Sequence, residues 1–182
     1  MYDMESRSKR RGVFPGSFNP LTVAHLAIAE QARQHSDLDS VDLVVSHVAL
    51  DKPAPPGPSL EERVALIERD LSDRDWLSIK TTEHQLIVDI AEGYDVVLMG
   101  ADKWAQVNDA TYYDSVDERD RAVSRLPEVI VADRNGFVTP EALRMATDES
   151  LHDVSSTAAR SGDRSIMAPV AAEEWRDATE LG

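Results

Sequence analysis

Short apolar runs recur along the chain, and helix-patterned stretches separate them. Val13-Phe14, Val41 to Val48, Val96 to Met99 and Val129 to Ala132 read as strands, and the longer runs are of the continuous kind found where a parallel strand is buried on both faces. Trp76 to Thr81 adds one more. Helices are expected from Val23 to about His35, from Ser59 to Leu71, near His84 to Glu92, and once or more between Ala105 and Leu126. The second is the clearest: Ser59 with Glu62 forms a capping-box pattern, and Leu60, Val64, Ile67 and Leu71 share one helix face. Strands alternating with helices imply βαβ units and right-handed crossovers. The expected fold class is therefore α/β: a doubly wound, Rossmann-like, mostly parallel sheet in a single domain. Residues 12–182 are read as that domain and residues 1–11 as a polar N-terminal tail. The Pro-rich stretch Lys52 to Pro58 is a loop within it, since both sides belong to the same alternation.

In such sheets ligands sit beyond the carboxyl ends of the strands, where the strand order reverses. Gly16 to His25 follows the first strand, and Gly100-Ala101-Asp102 follows the run Val96 to Met99. If those two strands are neighbours at the reversal, their loops face one pocket.

A net charge of −15 and a pI near 4.6 argue against a nucleic-acid partner, which calls for a basic stripe that displaces counterions. A small anion instead needs positive groups gathered locally, and His25, Lys52, Arg134 and Arg160 are the candidates. No apolar run approaches the roughly 20 residues of a bilayer crossing, so no membrane partner is expected. The chain lacks cysteine, which removes disulfides, thiolate nucleophiles and cysteine metal sites and fits a cytoplasmic setting. A homo-oligomer is left open.

Two segments look built for phosphate. Gly16-Ser17-Phe18-Asn19-Pro20-Leu21-Thr22-Val23-Ala24-His25 is a small-residue turn running into a helix; Gly16 and Ser17 let backbone approach a ligand, and Thr22 is a good N-cap that puts His25 in the first turn. Val154-Ser155-Ser156-Thr157-Ala158-Ala159-Arg160 places three hydroxyl residues at a helix start and an arginine after them. Helix N-termini offer N–H groups and a positive dipole end to anions.

The first segment resembles the signature of the cytidylyltransferase-like nucleotidyltransferase superfamily: a Gly-rich turn, Phe, Asp or Asn, Pro, then a His-x-Gly-His or Thr-x-Gly-His box. The second is similar to that superfamily's Ser-Ser-Thr-x-x-Arg box, in the form most like nicotinate or nicotinamide mononucleotide adenylyltransferases. Lys52-Pro53 with Arg63, and Gly100-Ala101-Asp102, fall where those enzymes have comparable residues. The resemblance implies a reaction in which an acceptor phosphate attacks the α-phosphorus of ATP and expels pyrophosphate. It implies that His25 and Thr22 contact the α- and β-phosphates with Ser17 helping to orient them, that Ser156, Thr157 and Arg160 hold the β,γ-phosphates, and that Gly16, Phe18, Asn19 and Ser155 also belong to the nucleotide site. Mg²⁺ would be held largely by phosphate oxygens and water.

Asp102, with Gly100 before it, is the candidate acceptor for ribose hydroxyls, and Lys52 and Arg134 are candidate phosphate contacts. Trp76, Trp104, Tyr112 and Tyr113 are the aromatic candidates for stacking on an acceptor ring, with Trp104 first among them. His47, His84 and His152 show no metal spacing. One residue departs from the box: its glycine is Ala24. The added methyl is expected where a nucleotide packs against backbone, so it would narrow the adenine end, shift the choice between ATP and CTP, or mark a protein that binds without turnover. The leading expectation is adenylyl transfer to a pyridine mononucleotide; its rivals are phosphopantetheine as acceptor, CTP as donor, and a nucleotide sensor.

Overall fold

The computed structural model describes residues 8–48 and 57–176. In chain order the elements are β1 (Arg11–Pro15), α1 (Val23–His35), β2 (Ser40–Ser46), α2 (Leu60–Asp70), β3 (Leu77–Thr82), α3 (Ile87–Ile90), β4 (Val96–Gly100), α4 (Ala101–Val107), α5 (Val116–Ser124), β5 (Glu128–Ala132), β6 (Arg144–Met145), α6 (Ser156–Arg160) and α7 (Pro169–Glu174). All strand pairs are parallel, and the sheet order is β3-β2-β1-β4-β5-β6. This is the doubly wound order, with its reversal between β1 and β4.

The period-2 alternation of strand side chains divides the core in two. Phe14, Leu43, Leu98 and Ile130 face α1, α2, α6 and α7. Val13, Val44, Val97, Met99 and Val131 face α3, α4 and α5. β2 carries one charge into this apolar setting: Asp42 is 5% exposed, and it accepts hydrogen bonds from Ser78 (2.6 Å), Lys80 (2.6 Å) and Tyr94 (2.7 Å). A buried carboxylate is tolerated only with such partners.

Both expected helix caps hold. The capping boxes at Thr22 and Ser59 start α1 and α2. Other expectations need correction. The tail ends earlier than residue 11, because Arg11 opens β1 and donates its N–H to Asp95 (2.7 Å), while Arg10 donates its N–H to Asp39 (2.6 Å). The helix near His84 shrinks to the single turn α3. The stretch from Ala105 begins earlier, at Ala101, because Gly100 at the end of β4 serves as the N-cap of α4. Ser115 then caps a separate α5. β6, two residues long, and α7, opened by Pro169, are elements the pattern did not reveal. α7 docks on α2: the Asp70 carboxylate accepts the N–H groups of Val170 (2.7 Å) and Ala171 (3.1 Å), and Arg69 pairs with Glu174 through two bonds of 2.7 and 2.8 Å.

Candidate active site

β1 and β4 lie side by side, with Gly12 opposite Val96 and Val13 opposite Val97. Their carboxyl ends therefore deliver Gly16 and Gly100 to the same edge, as the sequence argument required. From there the Gly16–His25 loop folds on itself. Phe18 is buried in the left-handed region at φ 42°, an uncommon conformation for a bulky residue. Its ring lies over Gly16, where a Cβ would come within 2.8 Å of it. Gly16 thus makes room for an aromatic ring of its own loop. Ser17 is exposed, and its carbonyl accepts a hydrogen bond from Arg63 at 2.9 Å.

His25 sits edge-on to Phe14 and Phe18, with ring centroids 5.9 and 5.0 Å away. Its Nδ1 accepts the backbone N–H of Thr22 (3.1 Å) and lies 2.8 Å from Thr22 Oγ1, while its own N–H reaches that hydroxyl oxygen at 3.4 Å. A backbone N–H aimed at Nδ1 leaves that nitrogen unprotonated, so the proton of the neutral ring is on Nε2. Burial, and secondarily the charge of Arg134, pull the His25 pKa down to about 3. The residue is a neutral Nε2–H donor. Thr22 itself is 0% exposed, so its side chain orients His25; the expected phosphate contact through Thr22 is corrected by its burial.

The second box is laced onto the first. Arg160 donates from Nη1 to the carbonyl of Asn19, and Ser156 Oγ donates to the carbonyl of Pro20 at 2.8 Å. Residue 22 also bridges Met167, and Ala168 N–H reaches the Leu21 carbonyl at 2.9 Å. Ser155 Oγ caps α6 by accepting the N–H of Ala158 at 3.1 Å. The Ser155 and Ser156 hydroxyls are thus committed within the protein, whereas Thr157 is exposed and accepts from Arg160 Nη2 at 3.3 Å. Asn19 is buried, and its Oδ1 has no hydrogen-bond partner among the described residues.

Arg63 is the residue whose chemistry the sequence reading left unassigned. It stands on α2 off the apolar face. Burial and the nearby Arg160 charge depress its pKa, and its buried Nε has no partner among the described residues. Arg63, Arg160 and Arg134 together gather positive charge about one loop in an acidic chain, a field suited to an anion.

At the end of β4, Asp102 occupies the first turn of α4, and its carboxylate lies 3.7 Å from Arg134 Nε. Arg134 Nη1 also donates to the carbonyl of Val154 at 2.5 Å. Trp104 is partly buried against the second core, as is Tyr113, whose hydroxyl donates to the Val107 carbonyl at 2.9 Å. Trp76 immediately precedes β3 under the guanidinium of Arg33. That is the amino end of the strand, away from the loops, which removes Trp76 as a stacking candidate. Ala24 is 1% exposed within the first core; its methyl does not enter the cleft, contrary to expectation. Lys52 lies outside the described residues. A cavity of about 360 Å³ opens by β2 and β3, lined by Val44, Lys80, Thr82, His84 and Tyr94 among others, and none of these candidates lines it.

Comparison with known proteins follows the same lines. Over 99 residues the chain is 34% identical to a phosphopantetheine adenylyltransferase of Nitratidesulfovibrio vulgaris, covering 53% of this chain and 50% of that one. Over 77 residues it is 35% identical to a probable nicotinate-nucleotide adenylyltransferase of Bordetella avium, covering 42% and 39%. These matches span about half or less of the relatives' length. Among solved structures, Plasmodium falciparum nicotinic acid mononucleotide adenylyltransferase complexed with NaAD superposes with a TM-score of 0.67 at 14% identity, covering 91% of this chain and 93% of that one. That likeness establishes the shared α/β fold. The cytidylyltransferase-like family model matches residues 13–162, and the chain belongs to that family.

Proposed function

We propose that this protein is an adenylyltransferase that joins the AMP part of ATP to a phosphate-bearing acceptor, with nicotinate or nicotinamide mononucleotide as the acceptor and a pyridine dinucleotide as product. The observation that carries the reading is the lacing of the Ser155–Arg160 box onto Asn19 and Pro20, which brings the two segments side by side and supports a shared anion site.

The chemistry asks for little beyond positioning and charge stabilisation. An acceptor phosphate oxygen forms a bond to the α-phosphorus, the bond from that phosphorus to the bridging oxygen breaks, and pyrophosphate leaves with the electron pair. His25 Nε2–H donates to a phosphoryl oxygen and needs no protonation change to do so. Arg160 and Arg63 face the charge that grows on the departing pyrophosphate, with Thr157 at the same edge. Asp102 accepts from the ribose hydroxyls. Mg²⁺, when bound, would neutralise the polyphosphate through phosphate oxygens and water; the cationic and N–H donors of this cleft suit the nucleotide's anionic groups, and the metal's ligands would come with the nucleotide.

Phosphopantetheine is the second reading, favoured by the longer curated match, 99 residues against 77. A sensor without turnover loses its main motive, because the Ala24 methyl is packed into the core. Pyrophosphate release with ATP and Mg²⁺, measured with nicotinate mononucleotide, nicotinamide mononucleotide and phosphopantetheine in turn, tests the proposal. Release with a pyridine mononucleotide supports it. Release with phosphopantetheine alone selects the second reading, and release with none of the three refutes both.

A further inference from the structure

We infer that Arg134 is a positioning residue that acts through Asp102, setting where the donor nucleotide's ribose sits relative to its phosphates; this rests on the adenylyltransferase reading. Arg134 lies two residues beyond β5, and its side chain is 19% exposed. It spans two structures that would hold different parts of one nucleotide. Nε lies 3.7 Å from Asp102 Oδ1, and Nη1 donates to the carbonyl of Val154, next to the Ser155 cap, at 2.5 Å. A guanidinium is a rigid planar fork, so two partners held by one fork have a fixed separation.

Gly100 shows that this arrangement is built for. A Cβ there would lie 2.6 Å from Asp102 Oδ1 and 3.4 Å from both Cγ and Nε of Arg134. A side chain there would push the Asp102 carboxylate out of the corner that it shares with the guanidinium. The Ser155–Arg160 box, by contrast, has anchors besides Arg134: Ser156 on Pro20, Arg160 on Asn19, and Asn135 Nδ2 donating to Asp153 at 2.6 Å. Loss of Arg134 therefore leaves the box in place and releases chiefly Asp102. The guanidinium is turned to protein partners, and this geometry favours the strut over the direct phosphate contact its position in sequence suggested.

The two roles separate by ligand. Pyrophosphate has no ribose, whereas ATP has both parts. Calorimetric affinities for ATP and for pyrophosphate, each with Mg²⁺, are compared in the wild type, Arg134→Gln, Asp102→Asn and the double variant. Arg134→Gln should weaken ATP by about tenfold, the scale of one charge-assisted contact, and pyrophosphate by clearly less, since pyrophosphate loses only one of three nearby positive charges and keeps Arg63 and Arg160. The double variant should be little weaker than Asp102→Asn alone, because the two residues form one unit. Arg134→Lys, which keeps a donor for Val154 but not the fork, should fall between the wild type and Arg134→Gln, and Gly100→Ala should reproduce the Asp102→Asn defect. Equal losses for ATP and pyrophosphate, or fully additive effects in the double variant, overturn the inference. So does a lowered melting temperature with both affinities intact. A wild type that binds neither ligand overturns the nucleotide reading itself, and the inference with it.

Discussion

The imidazole Nδ1 of His25 lies 2.8 Å from the hydroxyl of Thr22 and accepts the backbone N–H of that residue at 3.1 Å. One capping box therefore begins helix α1 and also fixes which ring nitrogen carries the proton.

Thr22→Val keeps the shape of the side chain and removes the hydroxyl. Loss of an N-cap costs about 1 kcal/mol of stability, and the ring loses one of its two restraints on Nδ1. Turnover should fall by roughly tenfold, the range a loosened catalytic donor occupies, while Thr22→Ser stays near the wild type. His25→Ala should lower turnover by about a hundredfold or more with a smaller effect on folding. Denaturant melts beside pyrophosphate-release rates separate the two; a His25→Ala protein with melted structure but intact specific activity would make the histidine structural.

With its pKa pulled down to about 3, His25 stays neutral over the physiological range. The unfolded chain binds this proton near 6.5, so the neutral native form is favoured above that value, and its contribution to stability erodes as pH falls from about 6.5 toward 3. Nitrogen-15 NMR of the imidazole should show a proton on Nε2 and no titration between pH 8 and 5. A midpoint near 6.5 would contradict the neutral-donor assignment.

Ala24→Gly removes a buried methyl, worth about 0.8 kcal/mol, and adds a helix cost of up to about 1 kcal/mol, less near the helix start. The variant should be less stable by about 1–2 kcal/mol with ATP affinity unchanged. A gain in affinity on calorimetry would show that the methyl does reach the nucleotide.

Asp42 gives a prediction remote from the cleft. Burial alone would raise its carboxyl pKa, but the hydrogen bonds from Lys80, Ser78 and Tyr94 outweigh burial and hold it below the ordinary value. Its contribution is thus present above the unfolded carboxylate pKa and is lost as pH falls through the folded one. Asp42→Ala removes the acceptor shared by Ser78, Lys80 and Tyr94, but the half-exposed Lys80 can turn to water, so the change should cost about 1–2 kcal/mol in denaturant unfolding, with the specific activity of the folded protein retained.

The sequence made the fold legible where one element decided its own structure. The Thr22 and Ser59 capping boxes, and the runs that became β2 and β4, are local signals. β6 and α7 were hidden because tertiary partners make them: two residues beside β5, and a helix whose first turn is capped from α2 by Asp70. In the cleft, the two boxes and Asp102 were legible as motifs, but side-chain direction was not. Nothing in a one-dimensional pattern shows that Ser156 spends its hydroxyl on the carbonyl of Pro20, that Ala24 points into the core, or that Arg63 on α2 bends to the carbonyl of Ser17. Those outcomes depend on which residues meet across more than forty positions of chain.

The most direct measurement is a crystal structure with a non-hydrolysable ATP analogue. The account predicts one triphosphate touched by both His25 Nε2 and the guanidinium of Arg160, with the ribose at Asp102. A triphosphate bound elsewhere, or held by only one of those two side chains, would contradict the claim that the two segments form one site.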